Sequence, residues 1–247
     1  STPIKSSAAS DVYKRQTEDQ IDISLKKLLK IQFRLGMFDP QDKVPYSKIG
    51  AEVLESKPHQ QQALKMARQS MVLLKNEKQL LPLSSKIKKI ALLGPNANNG
   101  TTQLGNYNGI PSKNATLLDA LRAEKGIEVV YDSISDFITL QPGIDLQHYA
   151  EKYKDVDLII YAGGISALLE GEEGDTGNVE GFYRGDRTTI NLPAVQTQVM
   201  QMLQKSGKPM IFICMSGSAI AFNWESQHIP AIIQAWYGGC LLYTSPS

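Results

Sequence analysis

Five short apolar runs constrain the fold of this chain more than any other feature of its sequence. They are rich in Ile, Val and Leu, show no strict alternation of apolar and polar positions, and span residues 90–93, 127–131, 158–161, 210–215 and 231–235. Continuous apolar runs of this length are typical of strands that are buried on both faces of a sheet. The sequence therefore predicts five buried β-strands.

Segments with helical periodicity lie between these runs. The predicted helices span residues 117–123, 146–153 and 193–205, and the last carries Val199 and Leu203 on one face. Because parallel strands must be joined by crossover connections, an order of strand, helix and strand indicates a parallel sheet with helices on both faces. We therefore predict an α/β fold, a parallel-sheet sandwich, over residues 73–239.

Two further helices are predicted before this domain. Thr17 and Gln20 have the spacing of a capping box, and apolar residues then recur at helical intervals until Gly36. Residues 39–56 contain two prolines and predict an extended linker, after which Pro58 opens a second helix. This part of the chain is therefore divided into a helix at 17–38 and a linker with a helix at 39–72.

The two ends of the chain do not share the periodicity of the residues beside them. Residues 7–16 (SAASDVYKRQ) and 240–247 (CLLYTSPS) resemble translated remnants of sequencing adapters. We therefore set residues 1–16 and 240–247 apart from the fold. This interpretation predicts that the remaining residues are part of a longer protein.

Composition and charge argue against several classes of function. The 247 residues carry 26 Lys and Arg against 25 Asp and Glu, and a net charge of +1 attracts neither nucleic acid nor an anionic membrane. The apolar runs are far shorter than the roughly 18 residues of a membrane helix. Cys214 and Cys240 supply neither a disulfide framework nor a zinc site. We therefore expect no nucleic-acid or membrane partner, no metal and no cofactor.

An acidic, glycine-rich segment at residues 163–187 follows the third predicted strand. Glu170, Glu172, Glu173 and Asp175 lie close together in it. Ligands of open parallel sheets bind at the carboxyl ends of the strands, and repulsion with partial burial raises carboxyl pKa values toward those of proton donors. A solvated loop or a calcium-binding loop has the same composition, so the residues alone leave these interpretations open.

Two short motifs lie in the acidic segment and at its end, Leu169-Glu170-Gly171-Glu172 and Asp186-Arg187-Thr188. Further blocks occur along the chain at 35–39 (LGMFD), 71–76 (MVLLKN), 80–83 (LLPL), 93–97 (LGPNA), 105–107 (GNY), 192–193 (LP) and 236–239 (WYGG). Taken together, and in this order, they resemble the family-3 glycoside hydrolases, the β-glucosidase and β-xylosidase family. The resemblance covers roughly residues 17–239.

The resemblance implies a domain arrangement and a site. Residues 17–38 would be the last helix of a (β/α)8 barrel domain, and residues 73–239 the second domain, an α/β sandwich. Glu172 matches the general acid/base of the family, with Glu170 and Glu173 as its competitors. Asp186 and Arg187 would hold the loop through paired hydrogen bonds. The family's nucleophile is an aspartate of the barrel, to which no residue of this sequence corresponds.

The resemblance also implies a retaining, exo-acting β-glycosidase that hydrolyses β-linked glucosides, xylosides or oligosaccharides from their non-reducing ends. It implies a periplasmic or secreted enzyme, an N-terminal barrel domain as the missing partner, and no activity for this chain alone. A non-catalytic carbohydrate-binding or scaffold module is the alternative, and a flavodoxin-like cofactor domain is a third. Trp236 and Tyr237 could stack on a sugar ring or pack in the core, and the sequence leaves both open.

Overall fold

A computed structural model of the chain describes residues 17–171 and 178–239, with all side chains in these ranges except those of Gln147, His148 and Asn178. The chain divides into two compact units between Leu54 and Glu55. The predicted adapter remnants at both ends and the loop residues 172–177, which include Glu172 and Glu173, lie outside the described residues.

The first unit contains helix α1 (Glu18–Arg34). Its start confirms the capping box, because the Thr17 hydroxyl accepts from the Gln20 backbone N–H and the Gln20 side chain accepts from the Thr17 N–H. Every side chain of α1 is at least partly exposed, including the apolar Leu28 and Phe33. The unit therefore buries little of the apolar stripe that the sequence predicts for this helix.

The prediction of an extended linker over residues 39–56 was wrong. Three short 3-10 helices occupy most of it, Gln41–Lys43, Pro45–Lys48 and Ala51–Val53. Pro45 stands at the first position of its helix, where the fixed φ of proline suits a helical turn and the missing N–H costs no hydrogen bond. Pro40 and Pro45 therefore precede or begin tight turns rather than marking extended chain.

The second unit is built on a six-stranded sheet. Its strands are β1 (Val72–Asn76), β2 (Lys89–Leu93), β3 (Glu128–Tyr131), β4 (Leu158–Gly164), β8 (Met210–Met215) and β9 (Ala231–Gln234), and their order in the sheet is β1-β9-β8-β4-β2-β3. All neighbouring pairs are parallel except β1 with β9. The predicted α/β fold and its five strands are confirmed, although β3 at the edge of the sheet is only partly buried, and the one strand of this sheet that the sequence did not predict is the antiparallel edge strand β1.

Helices cover both faces of this sheet. They are α2 (Lys57–Ser70), α3 (Gly100–Leu104), α4 (Leu117–Ala123), α5 (Leu146–Lys152), α6 (Ala194–Gln204) and α7 (Glu225–His228). The three helices predicted between the strands correspond to α4, α5 and α6, each within one residue of its predicted ends. Within the described ranges, no helix is both long enough and apolar enough to cross a membrane.

Strand β4 lies at the centre of the core, and all seven of its residues are buried. Alternate side chains point to opposite faces of a strand. Ile159 and Tyr161 pack in one cluster with α5 and α6, whereas Leu158 and Ile160 pack in another with α4. Burial on both faces explains why the sequence of this strand is continuously apolar rather than alternating.

Strands β2 and β4 are followed by or end in glycine, because the backbone at these points passes close to the backbone of a neighbouring strand. Gly94, which follows β2, has a φ of +99°, and a Cβ there would lie 2.3 Å from the Ala162 carbonyl oxygen. Gly164, at the end of β4, has a φ of +106°, and a Cβ there would lie 2.0 Å from the Met215 carbonyl oxygen. These two positions tolerate no side chain without moving the sheet itself.

We expect Gly164→Ala to lower the free energy of unfolding by roughly 3 kcal/mol or more, because strained φ and a backbone clash act together. Gly126→Ala is the matched control, since Gly126 also has a positive φ of +82° but has nothing within 4 Å of its would-be Cβ. The control should cost only about 1–2 kcal/mol. Urea unfolding of both variants tests this, and equal losses would contradict the proposed clash with Met215.

Candidate functional site

The carboxyl ends of β2, β4, β8 and β9 meet along one edge of the sheet, because these strands run parallel. We call this edge, with the segments that follow the four strands, the rim. The acidic loop, residues 165–187, leaves the rim directly from β4. The predicted acid Glu172 and its competitor Glu173 belong to the part of the loop that lies outside the described residues, whereas Glu170 is described.

Glu170 connects the start of the acidic loop to three other parts of the rim. Its Oε2 atom accepts a hydrogen bond of 2.9 Å from the Gly217 backbone N–H and one of 2.5 Å from the Tyr237 hydroxyl. Its backbone carbonyl accepts from the Asn106 side chain at 3.3 Å, and its backbone N–H donates to the Ser166 carbonyl at 3.1 Å. This glutamate is therefore held on both its side chain and its main chain.

Two buried amide side chains hold the end of β4, from which the loop departs. Asn96 Nδ2 donates to the carbonyls of Gly163 and Ile165, at 2.9 and 3.3 Å. Gln196 accepts from the Gly164 N–H at 2.8 Å and donates to the Gly164 carbonyl at 2.7 Å. Backbone polar groups that leave a sheet inside the protein must find partners, and these amides supply them.

Gln196 is a site residue that the sequence did not reveal. It lies on the buried face of α6, is fully buried, and also donates to the Phe137 carbonyl at 3.0 Å. The one available signal was a polar residue adjacent to Val195 on an otherwise apolar helix face. A polar residue in such a position is normally predicted to be exposed, because its hydrogen-bond partner, the backbone of Gly164, lies more than thirty positions away in the sequence.

Arg187 holds the other end of the acidic loop. Its guanidinium donates to the carbonyls of Thr189 and Asn191, both at 3.0 Å, and to Ser218 Oγ at 3.1 Å and the Ala219 carbonyl at 3.4 Å. Burial lowers the pKa of Arg187, and the nearby Glu170 carboxylate opposes that shift. Among the described residues, the guanidinium therefore bonds to these groups rather than to Asp186, the partner that the sequence suggested.

Between the undescribed residues and Arg187, the loop forms a small antiparallel sheet of β5 (Asn178–Val179), β6 (Phe182–Tyr183) and β7 (Asp186–Arg187). Arg184 and Gly185 both have positive φ, at 53° and 93°. This pair of conformations is that of a type I′ hairpin turn. The Arg-Gly dipeptide between Phe182–Tyr183 and Asp186–Arg187 is the sequence signal for that turn. The sequence does not predict this sheet because its strands have only two residues each.

Tyr237 and Trp236, which follow β9, have different environments. Tyr237 is half-buried against a cluster of Ala67, Met215 and Ala235, and burial together with the Glu170 carboxylate raises the pKa of its hydroxyl far above the usual value. Trp236 is 39% exposed, and its indole N–H donates to the Ser70 carbonyl at 3.1 Å. Tyr237 is therefore a packing residue with an engaged hydroxyl, and Trp236 presents part of its ring to solvent.

Two residues of reactive types near the rim, Cys214 and Ser216, are buried. Cys214 is buried in β8, and burial raises the pKa of its thiol to about 12, which leaves it unreactive near neutral pH. Ser216 is buried and accepts from Gln234 Nε2 at 2.9 Å. The described residues contain no group of three or more His, Cys, Asp or Glu that could hold a metal ion.

This sequence and this architecture match those of known proteins. Residues 71–241 match the sequence model of the glycosyl hydrolase family 3 C-terminal domain. A β-xylosidase of Formosa agariphila is 31% identical over 236 residues, which cover 89% of this chain and 30% of that protein. A probable β-D-xylosidase 7 of Arabidopsis thaliana is 32% identical over 92% of this chain and 28% of its own length.

A solved family-3 exo-β-xylosidase, in complex with a xylobiose aziridine activity-based probe, has the same fold. It superposes with a TM-score of 0.79 at 25% identity, over 95% of this chain and 29% of that structure. A periplasmic β-glucosidase of Salmonella typhimurium is 26% identical over 90% of this chain and 31% of its own length. The chain thus spans about a third or less of these relatives.

Replacing Gln196 by Leu should destabilise the domain by roughly 3 kcal/mol, because the polar backbone groups at Gly164 and Phe137 lose their buried partner. Gln198→Leu, on the exposed side of the same helix, changes the same residue type and should stay within about 0.5 kcal/mol of wild type. Thermal unfolding followed by circular dichroism measures both. Losses of similar size would show that Gln196 has no special part in holding β4.

The raised pKa of Tyr237 predicts a loss of stability in alkali. Its folded-state pKa lies above that of an unfolded tyrosine, about 10, so its stabilising contribution is complete below pH 10 and disappears as pH rises beyond it. Tyr237→Phe should therefore flatten the decline in unfolding free energy above pH 10, by up to about 1 kcal/mol per pH unit. Urea unfolding at pH 9, 10 and 11 tests this, and parallel curves for both proteins would contradict it.

Proposed function

The chain belongs to glycoside hydrolase family 3, and from this premise we propose that it is the part of a retaining, exo-acting β-glycosidase that supplies the general acid/base. The observation that carries the proposal is the position of the acidic loop. It leaves the carboxyl end of the fully buried central strand β4, and both of its described ends are hydrogen-bonded to the rim. Loops on rigid scaffolds are where catalytic groups of α/β proteins are placed.

The chemistry of glycoside hydrolysis requires a proton donor of this kind. Cleavage of the glycosidic bond develops positive charge on the sugar and negative charge on the departing oxygen. A carboxylic acid protonates that oxygen while a carboxylate attacks the anomeric carbon, and the same acid then acts as a base toward water. We assign the acid/base role to Glu172, with Glu173 as the remaining competitor.

Glu170 is the weaker candidate for that role. Its Oε2 atom accepts from two donors that belong to the rim, the Gly217 N–H and the Tyr237 hydroxyl. A general acid must instead have an oxygen directed at the leaving group of the substrate and within hydrogen-bond reach of it. These contacts favour Glu172 or Glu173, which follow Glu170 in the same loop, as the proton donor.

The nucleophile is proposed to lie on a (β/α)8 barrel domain that this sequence does not include. In a retaining enzyme the two carboxyl groups stand about 5–5.5 Å apart, so the site forms only when barrel and sandwich domains are together. Helix α1 is proposed as the last helix of that barrel. Its exposed apolar side chains, such as Leu28 and Phe33, support this assignment because a barrel would cover the apolar surface that they leave exposed.

The proposed substrates are β-linked xylosides or glucosides, cleaved from the non-reducing end. The relatives named above are β-xylosidases and a β-glucosidase, and two of the β-xylosidases are at least 30% identical to this chain. This chain alone is proposed to hydrolyse neither substrate. Aryl xylosides and aryl glucosides, assayed with the complete enzyme that contains the chain, decide between the two sugars.

Glu172→Gln in that complete enzyme tests the acid/base assignment. Loss of general acid catalysis should slow hydrolysis of a methyl glycoside, whose leaving group is poor, by at least about 100-fold. For a dinitrophenyl glycoside, whose leaving group is good, the step that releases the leaving group should be slowed much less. The basic limb of the pH profile of kcat/KM should disappear together with the acid. Glu180→Gln, at an exposed turn of the same loop, is the matched control and should behave as wild type.

Two results would redirect the assignment. If Glu173→Gln shows this split between leaving groups and Glu172→Gln does not, the proton donor is Glu173. If the complete enzyme hydrolyses neither xylosides nor glucosides, the proposed glycosidase function is wrong.

A further inference from the structure

We propose that Glu170 is a positioning residue: together with Arg187 it fastens the two ends of the acidic loop to the single segment 217–219, and so holds the acid/base of the loop in place. The inference rests on the proposed function, and it assigns Glu170 a separate role from that of Glu172. Tyr237, which follows β9, contributes to this attachment through its hydrogen bond to Glu170.

The two ends of the loop share one attachment point. Gly217 donates its N–H to Glu170 at 2.9 Å, and the next two residues, Ser218 and Ala219, accept from Arg187 at 3.1 and 3.4 Å. The segment that follows β8 thus contacts the loop at its beginning and near its end. The two described ends of the loop are therefore fixed relative to each other through one short segment.

The environment of the Glu170 carboxylate is shaped for an acceptor. A Cβ at position 217 would lie 3.1 Å from Glu170 Oε2 and 3.0 Å from the ring of Tyr237, so a larger residue there would have to displace one of these side chains by a few tenths of an ångström. The Arg187 guanidinium adds a favourable electrostatic interaction without a direct hydrogen bond to Glu170. Hydrogen bonds to an ionised acceptor are stronger than those between neutral groups, which suits an anchor.

The partners of this carboxylate are themselves held rigidly. The Tyr237 ring packs against Ala67, Met215 and Ala235, and Gly217 directly follows Ser216, which is bonded to Gln234. The main chain of Glu170 is fixed by Asn106 and Ser166. An anchor positions a catalytic group only if its own support does not move, and these contacts meet that condition.

The test compares variants of the complete enzyme on a methyl glycoside. Glu170→Ala removes the acceptor and should lower kcat by about 100-fold, whereas Glu170→Gln keeps a carbonyl oxygen for the same donors and should lower it by only about 10-fold. Tyr237→Phe removes one donor without changing shape and should lower kcat by roughly 3–10-fold. The basic limb of the pH profile should persist in all three, because the proton donor is still present.

A double variant and a control complete the design. If Glu170 and Tyr237 act through their shared hydrogen bond, Glu170→Ala with Tyr237→Phe should be no slower than Glu170→Ala alone. Glu128→Gln, an exposed glutamate paired with Lys89 on the far edge of the sheet, should leave kcat unchanged. Tyr237→Phe preserves packing and keeps the test decisive if Glu170→Ala fails to fold.

Three results would overturn the inference. Equal losses in Glu170→Gln and Glu170→Ala, together with loss of the basic limb, would make Glu170 the acid itself. Unchanged kcat with a lower melting temperature would make its role merely structural, and unchanged values of both would leave it without a role. An inactive wild-type enzyme would instead refute the proposed function. An active wild-type enzyme whose Glu170 and Tyr237 variants behave as wild type would refute only the positioning role of Glu170.

Discussion

The close approach of backbones at the carboxyl end of β4 is the constraint on which the rest of the domain depends. β4 is buried on both faces and lies between β2 and β8, so the chain can leave it only where side chains are absent. Gly94 and Gly164 provide that space, and the buried amides of Asn96 and Gln196 provide the hydrogen bonds that water would otherwise supply. A rigid edge results, although its backbone has left the hydrogen-bonding pattern of the sheet.

Rigidity at this edge connects the fold to its chemistry. A proton donor works only when its oxygen lies within hydrogen-bond distance of the departing atom, and displacements of about 1 Å have large effects on rate. Catalytic residues on a loop must therefore inherit their position from the scaffold beneath it. The contacts of Glu170 and Arg187 with segment 217–219 connect both described ends of the acidic loop to the segment that follows β8.

Much of the fold could be predicted because its elements are encoded locally. The five predicted strands and helices α1, α4, α5 and α6 follow from runs, periodicity and capping residues that lie within a few positions of each other. The edge strand β1 and the hairpins of the acidic loop could not be predicted in the same way. β1 has exposed apolar residues and no alternation, and β5, β6 and β7 are too short to show a period.

The site was less predictable than the fold, because its key contacts join distant parts of the chain. Glu170 meets Gly217 across 47 positions and Tyr237 across 67, so its sequence neighbourhood distinguishes it from Glu172 only by resemblance. Arg187 shows the same limit, since its partners follow β8 rather than standing beside it as Asp186 does. A motif with two glutamates around one glycine thus specifies which residue types are present, whereas the contacts of Glu170 with Gly217 and Tyr237 become visible only once the strands that carry these partners are assembled.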